Sequence, residues 1–184
     1  MQRSILFIII VQLLILSTSC KEDPKNAGDF YGEATSTFYF IRHAEKDRSN
    51  PENIDPELSQ KGLGRAMHWA EILADVPLDA VYTTDFERTA MTAAPTSVKN
   101  DISVQFYDPE TLNIEQFKID NLGKNVLIVG HSNTTPNFVN TMIGEEKYSD
   151  IEDTDNGSLF IVQAINGKFS SQRLHFDCNC PKER

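Results

Sequence analysis

The run Thr37-Phe38-Tyr39-Phe40-Ile41, followed at once by Arg42-His43-Ala44-Glu45-Lys46, decides how this 184-residue chain is read. Aromatic and β-branched residues predict a strand. The abrupt switch to arginine, histidine, glutamate and lysine marks its carboxyl end as a place for chemistry rather than for packing. Downstream lies a polar loop with Pro51 and Pro56. Ser59 can then cap a helix that runs to about Leu73, with Leu63, Ala66, Met67, Ala70 and Leu73 at helical spacing. Ala80-Val81-Tyr82-Thr83 predicts a second strand, and Phe86 to about Ser97 a helix that Pro95 should bend or shorten. Alternation of Ile102, Val104 and Phe106 predicts a third strand, and residues Glu110 to Leu122 a further helix. Val126-Leu127-Ile128-Val129 is an unbroken apolar strand of the kind buried on both faces. Pro136 suits the first turn of a helix reaching Ile143. Leu159 to Ala164 and Phe169 to Phe176 flank Asn166-Gly167, a two-residue hairpin signal.

Strands alternating with helices predict an α/β fold, a three-layer α/β/α sandwich around a mostly parallel central sheet with an antiparallel C-terminal hairpin at an edge. In such sheets ligands gather at the carboxyl ends of the strands. Three polar clusters fall there: Arg42-His43, the turn from Thr83 to Arg88, and Gly130-His131. Two histidines beside two arginines suit phosphoryl transfer, in which catalysis is mostly positioning and charge stabilisation. Arginine forks grip phosphate oxygens and keep their charge. A histidine held neutral by cationic neighbours keeps a ring lone pair free to attack phosphorus. His68, mid-helix beside Trp69, and His175, on the hairpin, read as structural or solvated.

Four blocks together resemble a known family. Phe40-Ile41-Arg42-His43-Ala44-Glu45 resembles the Arg-His-Gly signature of the histidine phosphatase superfamily, branch 1, the phosphoglycerate-mutase-like proteins. Leu58-Ser59-Gln60-Lys61-Gly62 resembles that family's entry to its first helix. Tyr82 to Ala93 resembles the strand-turn-helix bearing the second arginine, and Val129-Gly130-His131-Ser132 the segment bearing the second histidine. The order holds over about residues 37–176. The resemblance implies a phosphoglycerate-mutase-like fold, a nucleophile at His43, and a phosphate pocket lined by Arg42, Arg88 and His131. It implies no metal and no organic cofactor. Ala44 stands where the signature has glycine, a small-for-small change shared with the short SixA-like members; a positive φ there would strain it. The family's proton-donating glutamate has no clear counterpart. In the corresponding segment, Tyr107-Asp108-Pro109-Glu110-Thr111, Asp108 and Glu110 are the candidates, although acids are favoured at such a helix start in any case. Glu45 and Lys46 are expected to orient the loop, and Lys46 to be able to touch substrate.

The implied activity is a phosphatase acting on phosphomonoesters or phosphoramidates through a covalent phosphohistidine, its partner a phosphorylated small molecule or phosphoprotein. Two other readings stand beside it. One is a phosphoglycerate-mutase-type phosphotransferase, disfavoured because a short chain lacks room for insertions that exclude water. The other is a non-catalytic phosphate- or phosphoprotein-binding module.

At the N-terminus, Met1-Gln2-Arg3 and the apolar run Ile5 to Leu16 form a segment too short for a membrane span. Ser17-Thr18-Ser19-Cys20 resembles a bacterial lipoprotein box, which implies lipidation of Cys20 and an address in the bacterial cell envelope, anchored to the membrane by lipid. The expected organisation is a signal peptide over residues 1–19, a tether over 20–36, the catalytic domain over 37–177 and a tail over 178–184. Cys178 and Cys180 in the tail are one residue apart, a spacing at which a disulfide is strained and a metal site lacks further ligands, so they read as incidental or redox-labile. The 17 basic and 27 acidic side chains leave a net charge of −10, which argues against a nucleic-acid partner. Loss of Arg3 with the signal peptide would leave 16 basic side chains against 27.

Overall fold

A computed structural model describes residues 34–180. The expected signal peptide and Cys20 lie outside them, as does most of the expected tether. The elements in chain order are β1 (Thr35–Arg42), α1 (Gln60–Ile72), β2 (Ala80–Thr83), α2 (Glu87–Asn100), β3 (Val104–Phe106), α3 (Ile114–Asp120), β4 (Asn125–Gly130), α4 (Thr134–Ile143), β5 (Ser158–Ile165) and β6 (Lys168–His175). They form one six-stranded sheet in the order β3-β2-β4-β1-β5-β6. The pairs β2–β3, β2–β4 and β1–β4 are parallel, whereas β5 joins β1 antiparallel and carries β6 as the outer strand of a hairpin. Asn166 and Gly167 both take positive φ at its tip, the backbone that this two-residue turn requires.

Each central strand feeds both faces of the sheet through the period-two alternation of its side chains. Phe38, Phe40, Val126, Ile128 and Phe160 turn to one face, where they meet Phe117 of α3 and Phe138, Val139 and Met142 of α4. Ile41, Val81, Leu127, Val129 and Leu159 turn to the other, against Trp69 and Leu73 of the α1 segment and Ala93 of α2. Three layers result, as expected. At about 25 cal/mol per Å² of apolar surface, these two interlocking cores are the main stabilising term.

Several details depart from expectation. β1 begins at Thr35, two residues upstream of the strand read from Thr37. Pro95 does not shorten α2, which continues to Asn100. Proline removes one helical N–H, yet Thr92, Ala93, Thr96 and Ser97 are buried on the inner side of the same turns and hold the helix through it. The helix expected from Glu110 starts only at Ile114. The Asp108 carboxylate accepts from the Glu110 N–H (2.9 Å) and the Thr111 hydroxyl (3.1 Å), closing a turn, and Asn113 is the true cap, accepting from the Gln116 N–H at 3.1 Å. In the tail, Cys178 and Cys180 are disulfide-bonded to each other.

Candidate active site

Parallel pairing of β1, β2 and β4 brings the three polar clusters to one edge of the sheet. Arg42 is the last residue of β1 and pairs with Gly130, the last of β4. His43 follows, and its backbone is fixed from three sides. Its N–H donates to the Gly130 carbonyl (2.9 Å), its own carbonyl accepts from the Asn156 amide (2.9 Å), and the next N–H, that of Ala44, donates to the Thr92 hydroxyl (2.9 Å). Ala44 is fully buried against Leu58 and Ala66 and is absent from the positive-φ residues, so alanine fits where the signature has glycine. Gly130 has a steric reason: a Cβ there would come within 2.8 Å of the Thr135 hydroxyl and 2.9 Å of the Tyr107 hydroxyl.

The His43 ring is buried, and its Nδ1 lies 2.7 Å from the Ala44 carbonyl oxygen. A carbonyl only accepts, so Nδ1 carries the proton. Burial, reinforced by the charges of Arg42, His131 and Arg88, outweighs that hydrogen bond and holds the ring's pKa down at about 3. Near neutral pH the imidazole is therefore uncharged, with the lone pair on Nε2.

His131 stands next to it, the two ring centroids 5.5 Å apart. Its Nε2 is 2.9 Å from the Thr84 hydroxyl, which donates onward to Thr89 at 3.1 Å. That direction of donation puts a proton on His131 Nε2. Burial first, then Arg88 and Arg42, lower its pKa to about 4. Arg88, in the first turn of α2, lays its guanidinium 4.2 Å over the Phe86 ring, and Phe86 packs edge-on against His131 at 5.0 Å. The predicted quartet of Arg42, His43, Arg88 and His131 thus converges on one site.

The two arginines have carboxylate partners that the sequence reading missed. Arg42 is only 4% exposed; its Nη1 donates to the Glu152 and Asp155 carbonyls (2.8 and 3.2 Å) and its Nη2 to Asp153 (2.8 Å). Arg48 also reaches Asp153, at 2.5 Å. Arg88 pairs with Asp55 at 3.1 Å. Beside them, Glu45 takes both Nε and Nη2 of Arg65 (2.8–3.0 Å) and Lys61 (3.2 Å), tying the loop after His43 to α1. Arg42 and His43 open onto a cleft of about 1170 Å³ whose other walls include Lys46, Arg48, Ser59 and Asp153. No ion pair holds Lys46 among the described residues, and its neighbours Arg48, Arg88 and Arg42 add to burial in lowering its pKa.

Asp108 and Glu110 are placed differently from the quartet. Both are exposed in the turn after β3, and both Asp108 oxygens are spent on that turn. Two carboxylates that touch cations beside the pocket, Asp153 and Glu45, are held on the ionised side. Hydrogen bonding from Arg42 holds Asp153 below the usual range, and the Arg65 bonds to Glu45 outweigh the upward push of burial. His68 faces Glu71 (3.7 Å), and His175 faces Asp155 (3.4 Å), through which it is one residue removed from Arg42. Among the described residues no group of histidines, cysteines and carboxylates has the makings of a metal site.

Residues 38–109 match the histidine phosphatase superfamily (branch 1). No curated protein sequence matches the chain. Its fold is shared with several solved structures. The SixA protein from Agrobacterium tumefaciens, assigned as a phosphohistidine phosphatase, is 18% identical with a TM-score of 0.56, covering 75% of this chain and 97% of that one. A phosphoglycerate mutase from Bacillus anthracis is 14% identical with a TM-score of 0.60, over 78% and 94% of the two chains. A mycobacterial glucosyl-3-phosphoglycerate phosphatase is 13% identical with a TM-score of 0.57, over 74% and 95%.

Proposed function

We propose that the chain is a member of branch 1 of the histidine phosphatase superfamily, whose pattern residues 38–109 match, and that it is a phosphatase that uses His43 as its nucleophile. The observation that carries the reading is the state of His43: neutral, with Nδ1–H committed to the Ala44 carbonyl and Nε2 free, among two arginines and a second histidine. Nε2 would attack phosphorus as the bond to the leaving group breaks, the bonding pair departing with that group. Phosphohistidine is then opened by water, whose oxygen replaces nitrogen on phosphorus and releases phosphate. Arg42 and Arg88 neutralise the equatorial oxygens through both steps. A phosphate dianion offsets the arginine charge that lowers the His131 pKa, and so favours its protonation and donation to the transferring group.

The leaving group must take a proton, and neither Asp153 nor Glu45 is in a state to give one. This favours substrates whose leaving group demands little acid catalysis: phosphoramidates or acidic alcohols, borne on a small molecule or a phosphoprotein. Hydrolysis of p-nitrophenyl phosphate tests the activity. Wild type should turn it over and His43→Ala should lose on the order of a thousandfold or more. Equal rates near background would leave a phosphate-binding module instead.

The lipoprotein-like box extends the proposal to location, a lipid on Cys20 holding the domain at the bacterial cell envelope. No helix among the described residues is long and apolar enough to cross a membrane. Cys20→Ala should move the protein from the membrane to the soluble fraction; unchanged sedimentation with membranes would exclude the anchor.

A further inference from the structure

Resting on the reading above, in which Arg88 binds the transferring phosphoryl group, we infer that Asp55 is the positioning residue that sets Arg88. Helix α2 begins without a cap of its own: Phe86 occupies the cap position in an extended conformation and makes no side-chain cap bond. Asp55, thirty-two residues upstream, supplies the missing acceptor. Its two oxygens take the Glu87 N–H at 3.1 and 3.2 Å, and Oδ1 also takes Arg88 Nη1 at 3.1 Å. A carboxylate at this point satisfies an orphan donor and complements the positive end of the helix. The same carboxylate fixes the guanidinium and leaves its other N–H groups for a ligand.

The loop that delivers Asp55 is built for a fixed geometry. Three side-chain-to-backbone turns follow one another at three-residue spacing: Asp47 to the Ser49 N–H (2.8 Å), Asn50 to Glu52 (3.1 Å) and Asn53 to Asp55 itself (3.0 Å). The neck is closed by the Lys46–Leu58 bridge, with the Asp47 N–H on the Glu57 carbonyl at 2.7 Å. Asp55 thereby couples the loop after the nucleophile to the second arginine. The charged groups around His131 are Arg88, Arg42 and Lys46, which lower its pKa, and Asp55, which raises it.

The experiment compares wild type, Asp55→Ala and Asp55→Asn. It measures p-nitrophenyl phosphate kinetics, the Kd for inorganic phosphate, thermal midpoint and the NMR titration of the His131 ring. Positioning predicts that Asp55→Ala lowers kcat between about ten- and a hundredfold. Asp55→Asn, which keeps one oxygen acceptor but no charge, should lose less, and both should titrate His131 at lower pH than wild type. Should Asp55→Ala fail to fold, Asp55→Asn still decides the matter. A lower thermal midpoint with unchanged kcat and unchanged His131 titration would reduce Asp55 to a helix cap and overturn the inference. Tighter phosphate binding with unchanged kcat would make it a mere counter-charge, again overturning it. In both cases the phosphatase reading stands, because wild type is active. A wild type that neither hydrolyses the ester nor binds phosphate would sink both together.

Discussion

At the scale of single residues, the site holds two histidines uncharged among cations. Both pKa values are depressed from 6.5, to about 3 for His43 and about 4 for His131. Between those values and 6.5 the unfolded chain binds protons on these rings that the folded chain refuses. Stability from this source is therefore complete above pH 6.5 and declines as pH falls toward the native pKa values. His43→Gln should flatten that decline: its urea midpoint should drop less than wild type's between about pH 7 and pH 5. Parallel declines would mean that the fold does not hold the His43 ring neutral. The convergence of the quartet is legible in the sequence, because each member ends a strand, directly follows one or lies in the first turn of the next helix. The quartet's carboxylate partners are not. Asp55 and Asp153 come from loops far along the chain from the arginines they meet, and no local pattern pairs them. The three-residue rhythm of Asp47, Asn50 and Asn53 was the available hint that the first of these loops is rigid.

At the scale of elements, period and turn chemistry foretold the order of strands and helices, and the exceptions have physical causes. Proline inside α2 reads as a breaker by its own chemistry, yet the buried threonines and alanine around it outweigh one lost hydrogen bond. Helix α3 starts four residues later than the pattern predicts because Asp108 spends its carboxylate closing a turn, and Asn113 three residues beyond Glu110 is the working cap. That local competition between turn and helix is invisible to periodicity. It also bears on function, since it binds the Asp108 carboxylate to its own loop. Helix α1 shows the converse, a constraint that only the structure discloses. A side chain at Gly62 would overlap the backbone carbonyl of Glu45, so the helix can press against the loop that follows His43 only because this residue is glycine. Arg65 from the next turn then clasps the Glu45 carboxylate.

At the scale of the molecule, a chain of net charge −10 concentrates cations at one edge of its sheet. Arg42, Arg88, Lys46 and Arg48 meet where the strands end, and under the proposed function this edge holds a single phosphoryl group while the general field disfavours polyanions. Topology makes that edge: β1 lies between β4, its parallel partner, and β5, its antiparallel one, so the Arg42-His43 cluster occupies the middle of the sheet. The core on both faces rigidifies the backbone from which His43 projects, which suits a reaction that depends on placement more than on acid catalysis. The covalent role proposed for His43 can be read on the protein itself. The most direct measurement is to react the protein with a radiolabelled phosphate donor, quench in alkali, and locate the phosphoryl group by peptide mapping. A nucleophilic His43 yields an acid-labile, alkali-stable adduct on His43 that His43→Ala lacks; a label on another residue, or clear turnover with no adduct at all, would rule that role out.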